Sequence, residues 1–476
     1  MTTRERGPAR PGGGDDPPAD ARYAPVVADF ASALDFDDIP SDVVDRAVID
    51  IMDALGCAMF GQNLTIARQL ERALLEPAGA GPATIWGSDR TAAPETASLV
   101  NGTLVHSFEL DDLHHTAILH PGGVALSAAL ALGESVGVSG RDLLTAQVVG
   151  IEVSSRVGLA VGPSMLGRGW HNNGVLGVFA SASAASRVLR LDPAATRNAL
   201  GVAGSLAAGL MASQYGSMVK RMHAGHAAQT GVRSAVLARE GFTGIDDIFA
   251  EGYGNFLPAF ADSWDRGELT SELGRRWETS NVGFKRFSCC GSNHSTIDVL
   301  LDLRARHSFV GSDVDEIAIT CSSSNREHVG WPYRPDTVTT AQMNLAYCAA
   351  VTLIDGECFV EQFVEERLDD PAVLALVDRV RITADPAIDA RGRAGRHEVT
   401  VDVRLRDGRR LRGAATSPRG SASAPLTQDE LIAKFVRLAS TRMDRGRVDV
   451  LVSTVQSLPD VSDVRDMTKK LSLRGA

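Results

Sequence analysis

Between residues 42 and 60 apolar residues recur at steps of three and four: Val44, Val48, Ile51, Met52, Leu55 and Met59. That spacing predicts an amphipathic helix, with Ser41 as its N-cap and Gly61 as its stop. A helical period persists from about Tyr23 to Phe284, and no strand pattern interrupts it. The later stretches Gly123–Val138, Val175–Leu189, Ala194–Ser213 and His226–Glu240 are rich in Ala, Gly and Ser. Small side chains let helix axes approach closely, which predicts a dense interior bundle.

The period changes after about Ser288. Ile317–Ser322 and Arg379–Thr383 read as short strands. Val399, Val401, Val403 and Leu405 alternate with polar residues, Asp407-Gly408 supplies a turn, and Arg409–Ala414 returns, the pattern of a hairpin. Helical stretches near His294–Arg306 and Ala341–Leu353 lie between these strands. Thr427-Gln428-Asp429-Glu430 spells a capping box before a helix over Leu431–Leu438. The expected fold class is therefore mainly α. A large all-helical domain covers 23–287, a smaller α+β domain is inserted over 288–420, and C-terminal helices over 421–476 return to the helical body. Residues 1–22, rich in Pro, Gly, Asp and Arg, read as a disordered tail and lack the apolar run of a signal peptide.

Composition narrows the partners. At 476 residues, 44% hydrophobic and 22% charged, the chain has material for more than one core. A net charge of −11 argues against nucleic acid or an anionic membrane as partner. The longest apolar stretch, Val124–Gly133, is too short to span a bilayer. Six cysteines without a CxxC pair fit a reduced, cytoplasmic setting and no disulfide framework.

Chemistry concentrates in four segments, and eight of the eleven histidines fall between positions 106 and 294. The first segment, His106 to Gly123, holds Glu109, Asp111 and Asp112 among His106, His114, His115 and His120. Carboxylates beside imidazoles raise their pKa and fix their tautomer, as general acid–base work requires. Pro121-Gly122-Gly123 breaks any helix there and places His120 on a loop. A solvated loop, a metal site of two Asp and three His, and simple capping by the acids are the alternatives; no HxH, HxxxH or HExxH spacing supports the metal. In the second segment, Gly169–Gly174, His171 precedes an Ala-rich helix, making either a carboxylate-binding corner or an ordinary cap. In the third, Met218–His226, Lys220, Arg221 and His223 form the one dense cationic group amid small residues. It suits a di- or tricarboxylate, and neighbouring cations lower Lys220; a basic surface turn is the alternative. In the fourth, Phe284–His294, Lys285 and His294 flank Cys289, which is a nucleophile or a packed thiol.

In this order the four segments resemble the MmgE/PrpD family, whose patterns look like H-x-x-D-x-D-D…H-P-G/S, G-x-H-x-x-x-x-x-G, K-x-x-H-x-G-x-A-A and K-x-[FY]-x-x-C-x-x-x-H. They match at His106–Pro121, Gly169–Gly177, Lys220–Ala228 and Lys285–His294. Ile39-Pro40 leading to Asp53, Ala238–Gly244 and Leu426–Phe435 match as well. The resemblance implies a helical domain with a smaller lid domain, a homodimer, and a site between the domains. It implies a lyase without metal or cofactor, a dehydratase or decarboxylase. Such an enzyme moves a proton at a carbon next to a carboxylate of a small di- or tricarboxylate. An epimerase of a small dicarboxylate shares these residues, as does an inactive polycarboxylate-binding paralogue. Carried over by position, the catalytic set is His120, His171, Lys220 and His294 with the acidic pair Asp111 and Asp112. Glu109, His114, His223, Lys285 and Tyr333 are the expected substrate-binding residues. Glu109 stands where the family commonly has Asp, and Leu113 where Thr is common; both changes should reshape the substrate end of the pocket.

Overall fold

The apolar stripe of residues 42–60 does fold as one helix, and eleven others of at least eleven residues accompany it in the computed structural model, which describes residues 22–473. The tail expected over 1–22 lies outside these residues, except for Arg22. In chain order the longer helices are α1 (Tyr23–Ala33), α2 (Ser41–Gly61), α3 (Pro94–Val105), α4 (Pro121–Val136), α5 (Gly140–Val161) and α6 (Asn172–Val188). They continue with α7 (Pro193–Ser205), α8 (Val219–Arg239), α9 (Gly291–His307), α10 (Leu345–Asp355), α11 (Gln428–Ala439) and α12 (Arg445–Gln456).

Several boundaries differ from the expectation. Pro40, not Ser41, holds the N-cap of α2. Pro121 opens α4 instead of breaking it, because the first turn of a helix needs no N–H from its first residue. The stretch Ala194–Ser213 is a helix only to Ser205 and then a single turn at Met211–Tyr215. The stretch expected over His226–Glu240 begins at Val219, so Lys220 and His223 are helical, not on a turn.

α6 is the centre of the helical body, with α4, α5, α7 and α8 packed around it. All its residues except Arg187 are buried, as its ring of Ala, Gly, Ser and Val allows. α3 and α8 cross so closely that their backbones meet at glycines. A Cβ at Gly102 would lie 2.9 Å from the Gly225 Cα, and one at Gly225 only 2.0 Å from the Leu99 carbonyl oxygen. α5 is long and apolar enough to cross a bilayer, yet its apolar window is wholly buried within the protein, as a core helix is.

Short ladders occur within the helical region, contrary to the expectation of none. β1 (Ala83–Thr84) pairs with β2 (Thr91–Ala92), and β3 (Leu113–His114) with β4 (Val282–Gly283). Two residues cannot display a period of two. The main sheet follows: β5 (Val314–Cys321), β6 (Val380–Ala384), β7 (Val399–Leu405) and β8 (Arg410–Ala415), in the order β6-β5-β7-β8. β5 and β6 are parallel and the other pairs antiparallel. Val399, Val401, Val403 and Leu405 all point to the buried face, where α9 packs on β7 and β8 and α10 packs on α9.

The capping box at Thr427 forms with Glu430, and α11 lies along α2. Lys434 of α11 ion-pairs with Asp53 of α2 at 2.6 Å and donates to the Leu110 carbonyl at 2.7 Å. Both partners are buried, so removing either would cost about 3–5 kcal/mol. This tie also fixes the chain leading into Asp111 and Asp112.

Candidate active site

Four helices begin at one cavity. His120 is the N-cap of α4, His171 of α6 and Cys290 of α9, and Lys220 lies in the first turn of α8. All four residues line the cavity. None of the three caps uses its side chain to close its own helix. Converging N-termini carry partial positive charge into the space and suit an anion.

Glu109 organises one group. Its φ of 56° is left-handed, unusual for a residue with a side chain. Its carboxylate accepts hydrogen bonds from Lys220 at 2.7 Å, from Lys285 at 3.0 Å and from Arg221. Arg221 also donates to Gln342 at 2.8 Å. Burial would raise the Glu109 pKa, but Lys220, Lys285 and Arg221 together hold it well below the usual carboxylate range. Burial lowers Lys220 against the pull of Glu109, with Arg221 and Lys285 adding to the fall. Burial also disfavours the charge on Lys285, but there Glu109 and Asp111 prevail and raise it. Lys220 is thus the cation closest to giving up its proton.

The imidazoles form a chain. His106 Nδ1 donates to Asp111 at 2.8 Å. The His106 ring lies 4.9 Å from that of His120 and 5.8 Å from that of His171, and His171 and His223 share a proton between Nδ1 atoms 2.9 Å apart. His120 Nδ1 donates to the Asp112 carbonyl and lies 3.5 Å from Asp111, which leaves Nε2 as its basic nitrogen. The sequence expectation was that carboxylates raise these pKa values. Burial wins instead: His120 is pushed down to about 3 and His223 to about 4, and His171 and His106 are lowered too. The resting imidazoles are neutral near pH 7.

The acidic pair divides its work. Against its burial, His106 and His120 hold the Asp111 carboxyl low. Asp112 is raised well above its ordinary value by burial, Asp50 and Asp111. Its side chain accepts from the Gly122 amide at 2.9 Å, so it anchors the start of α4. Behind it Asp50, itself raised to about 7 by burial, accepts from Gln147 at 2.6 Å.

Of the residues singled out in the sequence, Glu109, His120, His171 and Lys220 line the cavity, and Leu113 does too. Asp111, Asp112, His223 and Lys285 stand directly behind them. Three others are not among the lining residues. His114 engages both ring nitrogens, one with Glu278 at 3.1 Å and one with the Ala117 amide at 3.1 Å. His294 bonds the Cys289 carbonyl at 3.3 Å and sits edge-on to Phe287. Tyr333 donates to the Leu368 carbonyl at 2.9 Å and stacks on Tyr347. Cys289 is a packed thiol, pushed up to about 11 by burial. His115, named in the first segment but not carried into the expected site set, lines the cavity, as do His328, Arg396 and His397, which the sequence did not single out. An Arg-His pair in an aperiodic stretch before β7 was the one available signal for the last two.

Among the described residues, two groups could hold a metal by distance alone. His106, Asp111 and His120 each offer a donor atom within 4.8 Å of the others, as do Cys289, Cys348 and Cys358. Two His and one carboxylate match a known ligand set. Here, however, Asp111 lies 3.9 Å from the Lys285 ammonium and is hydrogen-bonded to His106, and Lys220 sits nearby as another cation acting on His106. These neighbours repel a divalent ion.

Comparison with known proteins identifies the family. Residues 26–266 match the model of the MmgE/PrpD N-terminal domain and residues 287–459 that of the C-terminal domain. The chain is 34% identical to the cis-aconitate decarboxylase-like protein oryM of Aspergillus oryzae, over 94% of this chain and 96% of that protein. It is 30% identical to the cis-aconitate decarboxylase of Aspergillus terreus, over 94% and 95% of the two chains. It is 29% identical to that of Homo sapiens, over 94% of each. The chain belongs to the MmgE/PrpD family.

Proposed function

We propose that this chain decarboxylates a small tricarboxylate of the cis-aconitate kind without a metal. Family membership and the decarboxylase relatives make it a lyase. The observation that carries the finer reading is the convergence of four helix N-termini on one cavity that also holds neutral imidazoles and the buried Lys220.

The chemistry follows from charge. Carboxylates of the substrate pair with Lys220 and the helix N-termini. Leu113, Ile118, Leu166 and Met343 supply an apolar wall, against which the departing carboxylate is poorly solvated and its loss as neutral carbon dioxide is favoured. The C–C bond breaks, and its electron pair delocalises toward a carboxyl that the cations hold. Anion binding raises His120, which takes a proton on Nε2 and returns it to the carbon as general acid. Asp111 and the Asp112 carbonyl steady the imidazolium while it lasts. His171 and His223 extend the same imidazole chain.

Leu113 favours decarboxylation over dehydration. Ejecting hydroxide needs a nearby proton donor for the leaving oxygen, whereas carbon dioxide leaves uncharged. The test is to incubate the purified protein in heavy water with cis-aconitate, 2-methylcitrate and iminodisuccinate and follow each by NMR. Release of carbon dioxide from cis-aconitate with one deuteron gained at carbon is the expected result. Water loss from 2-methylcitrate alone would replace the decarboxylase by a dehydratase, and α-proton exchange in iminodisuccinate alone by an epimerase.

A further inference from the structure

We propose that Arg396, flanked by His328 and His397, is the recognition site for a substrate carboxylate within the cavity. The inference rests on the polycarboxylate reading above and adds a residue set to it. The Arg396 side chain makes no hydrogen bond or ion pair among the described residues, and its Nε is buried without a partner. Both ring nitrogens of His397 and Nδ1 of His115 are buried and unpartnered as well. All three residues, with His328, line the cavity.

No carboxylate among the described residues answers this group. The nearest acids in the chain are committed elsewhere: Glu398 to Arg391, and Asp389 to the Ser323 amide at 2.8 Å and its hydroxyl at 2.5 Å. Burial lowers the Arg396 guanidinium, and Cys290 is the one group opposing that fall. The imidazoles around it are pushed down in turn, His328 and His115 to about 3, by burial first and then by neighbouring cations such as Arg396. A buried charge without a partner is strongly unfavourable, and it is tolerated where a ligand brings the opposite charge. The planar guanidinium fork matches a carboxylate in two parallel hydrogen bonds. Gly291 and Ser292, in the first turn of α9, line the same space and add the helix terminus to the attraction. Lys220, by contrast, already has Glu109.

The test uses tricarballylate, a saturated tricarboxylate that cannot decarboxylate through a double bond, with calorimetry and thermal melting on the full chain. Wild type is expected to bind it, and Arg396→Met to bind it about 30-fold or more weakly. Arg396→Lys, which keeps the charge and loses the fork, should fall between. The ligand-free melting temperature of Arg396→Met should equal or exceed that of wild type, while the rise on adding tricarballylate should largely vanish. Undiminished affinity in both variants would overturn the assignment, as would a lower ligand-free melting temperature with affinity unchanged. If wild type itself bound no tricarboxylate, the polycarboxylate reading would fall first and this one with it.

Discussion

Two groups of residues at the cavity treat positive charge in opposite ways. In one, Lys220, Arg221 and Lys285 converge on Glu109, and the protein supplies the counter-charge itself. In the other, Arg396 stands among imidazoles with no acid among the described residues to meet it. The first arrangement tunes a cation that has chemistry to perform. The second leaves a charge for an arriving anion to complete. A substrate thus meets cations that already share a carboxylate of the protein and one cation that has none.

The contrast can be broken most forcefully at Lys220. Lys220→Ala should lower turnover by about 10²–10⁴-fold, read by steady-state kinetics; near-normal turnover would remove Lys220 from the chemistry. Next, Glu109→Ala removes the carboxylate that three buried cations share and should lower stability by about 3–5 kcal/mol in denaturant melts, whereas Glu109→Asp keeps the charge and should be milder. The sign with pH is fixed. Glu109 is held below its ordinary value, so its stabilisation is complete above the usual carboxylate range and is lost as pH falls through the folded value. If Glu109→Ala melts like the parent, that group is not compensated at all.

A smaller effect concerns protons. His120 at about 3 and His223 at about 4 are neutral at pH 7, and a bound polyanion raises both. Binding should therefore take up protons, and affinity should strengthen as pH falls from 7 toward 5, by about tenfold per unit for each proton taken up. Calorimetry in buffers of differing ionisation heat measures this directly; zero uptake would leave the imidazoles uncoupled from the ligand. The smallest change is Leu113→Thr, which restores a hydroxyl to the apolar wall and should alter kcat/KM by about 1 kcal/mol, roughly fivefold.

The bundle and the hairpin were legible because both obey a period: 3.6 in α2, and two across Val399–Leu405 with Asp407-Gly408 between the strands. His120, His171 and Lys220 were legible because each sits where an apolar pattern starts and a charged residue has no reason to be. The Arg396 group was not. His328 closes a short helix and Arg396 lies between a turn and β7, so neither belongs to a repeating pattern, and only the folded chain brings them to the same wall. The converse case has the same origin. His114 and Tyr333 have suitable chemistry, but a sequence gives no direction to a side chain, and both turn to other partners. The direction of the imidazole shifts was also misjudged, since adjacent acids are visible in a sequence and burial is not.

The glycine contact between α3 and α8 has a consequence for how this enzyme can change. His106 follows the last residue of α3, and Lys220 is the second residue of α8. Where Gly102 meets Gly225, backbone touches backbone, with no flexible side chain between to absorb a shift. The spacing of imidazole and ammonium is therefore gauged by two main chains, and a methyl group at position 225 would open that gauge before it unfolded anything. Variation in substrate should accordingly accumulate in the irregular segments that carry His328 and Arg396, while the helical frame stays closed to it.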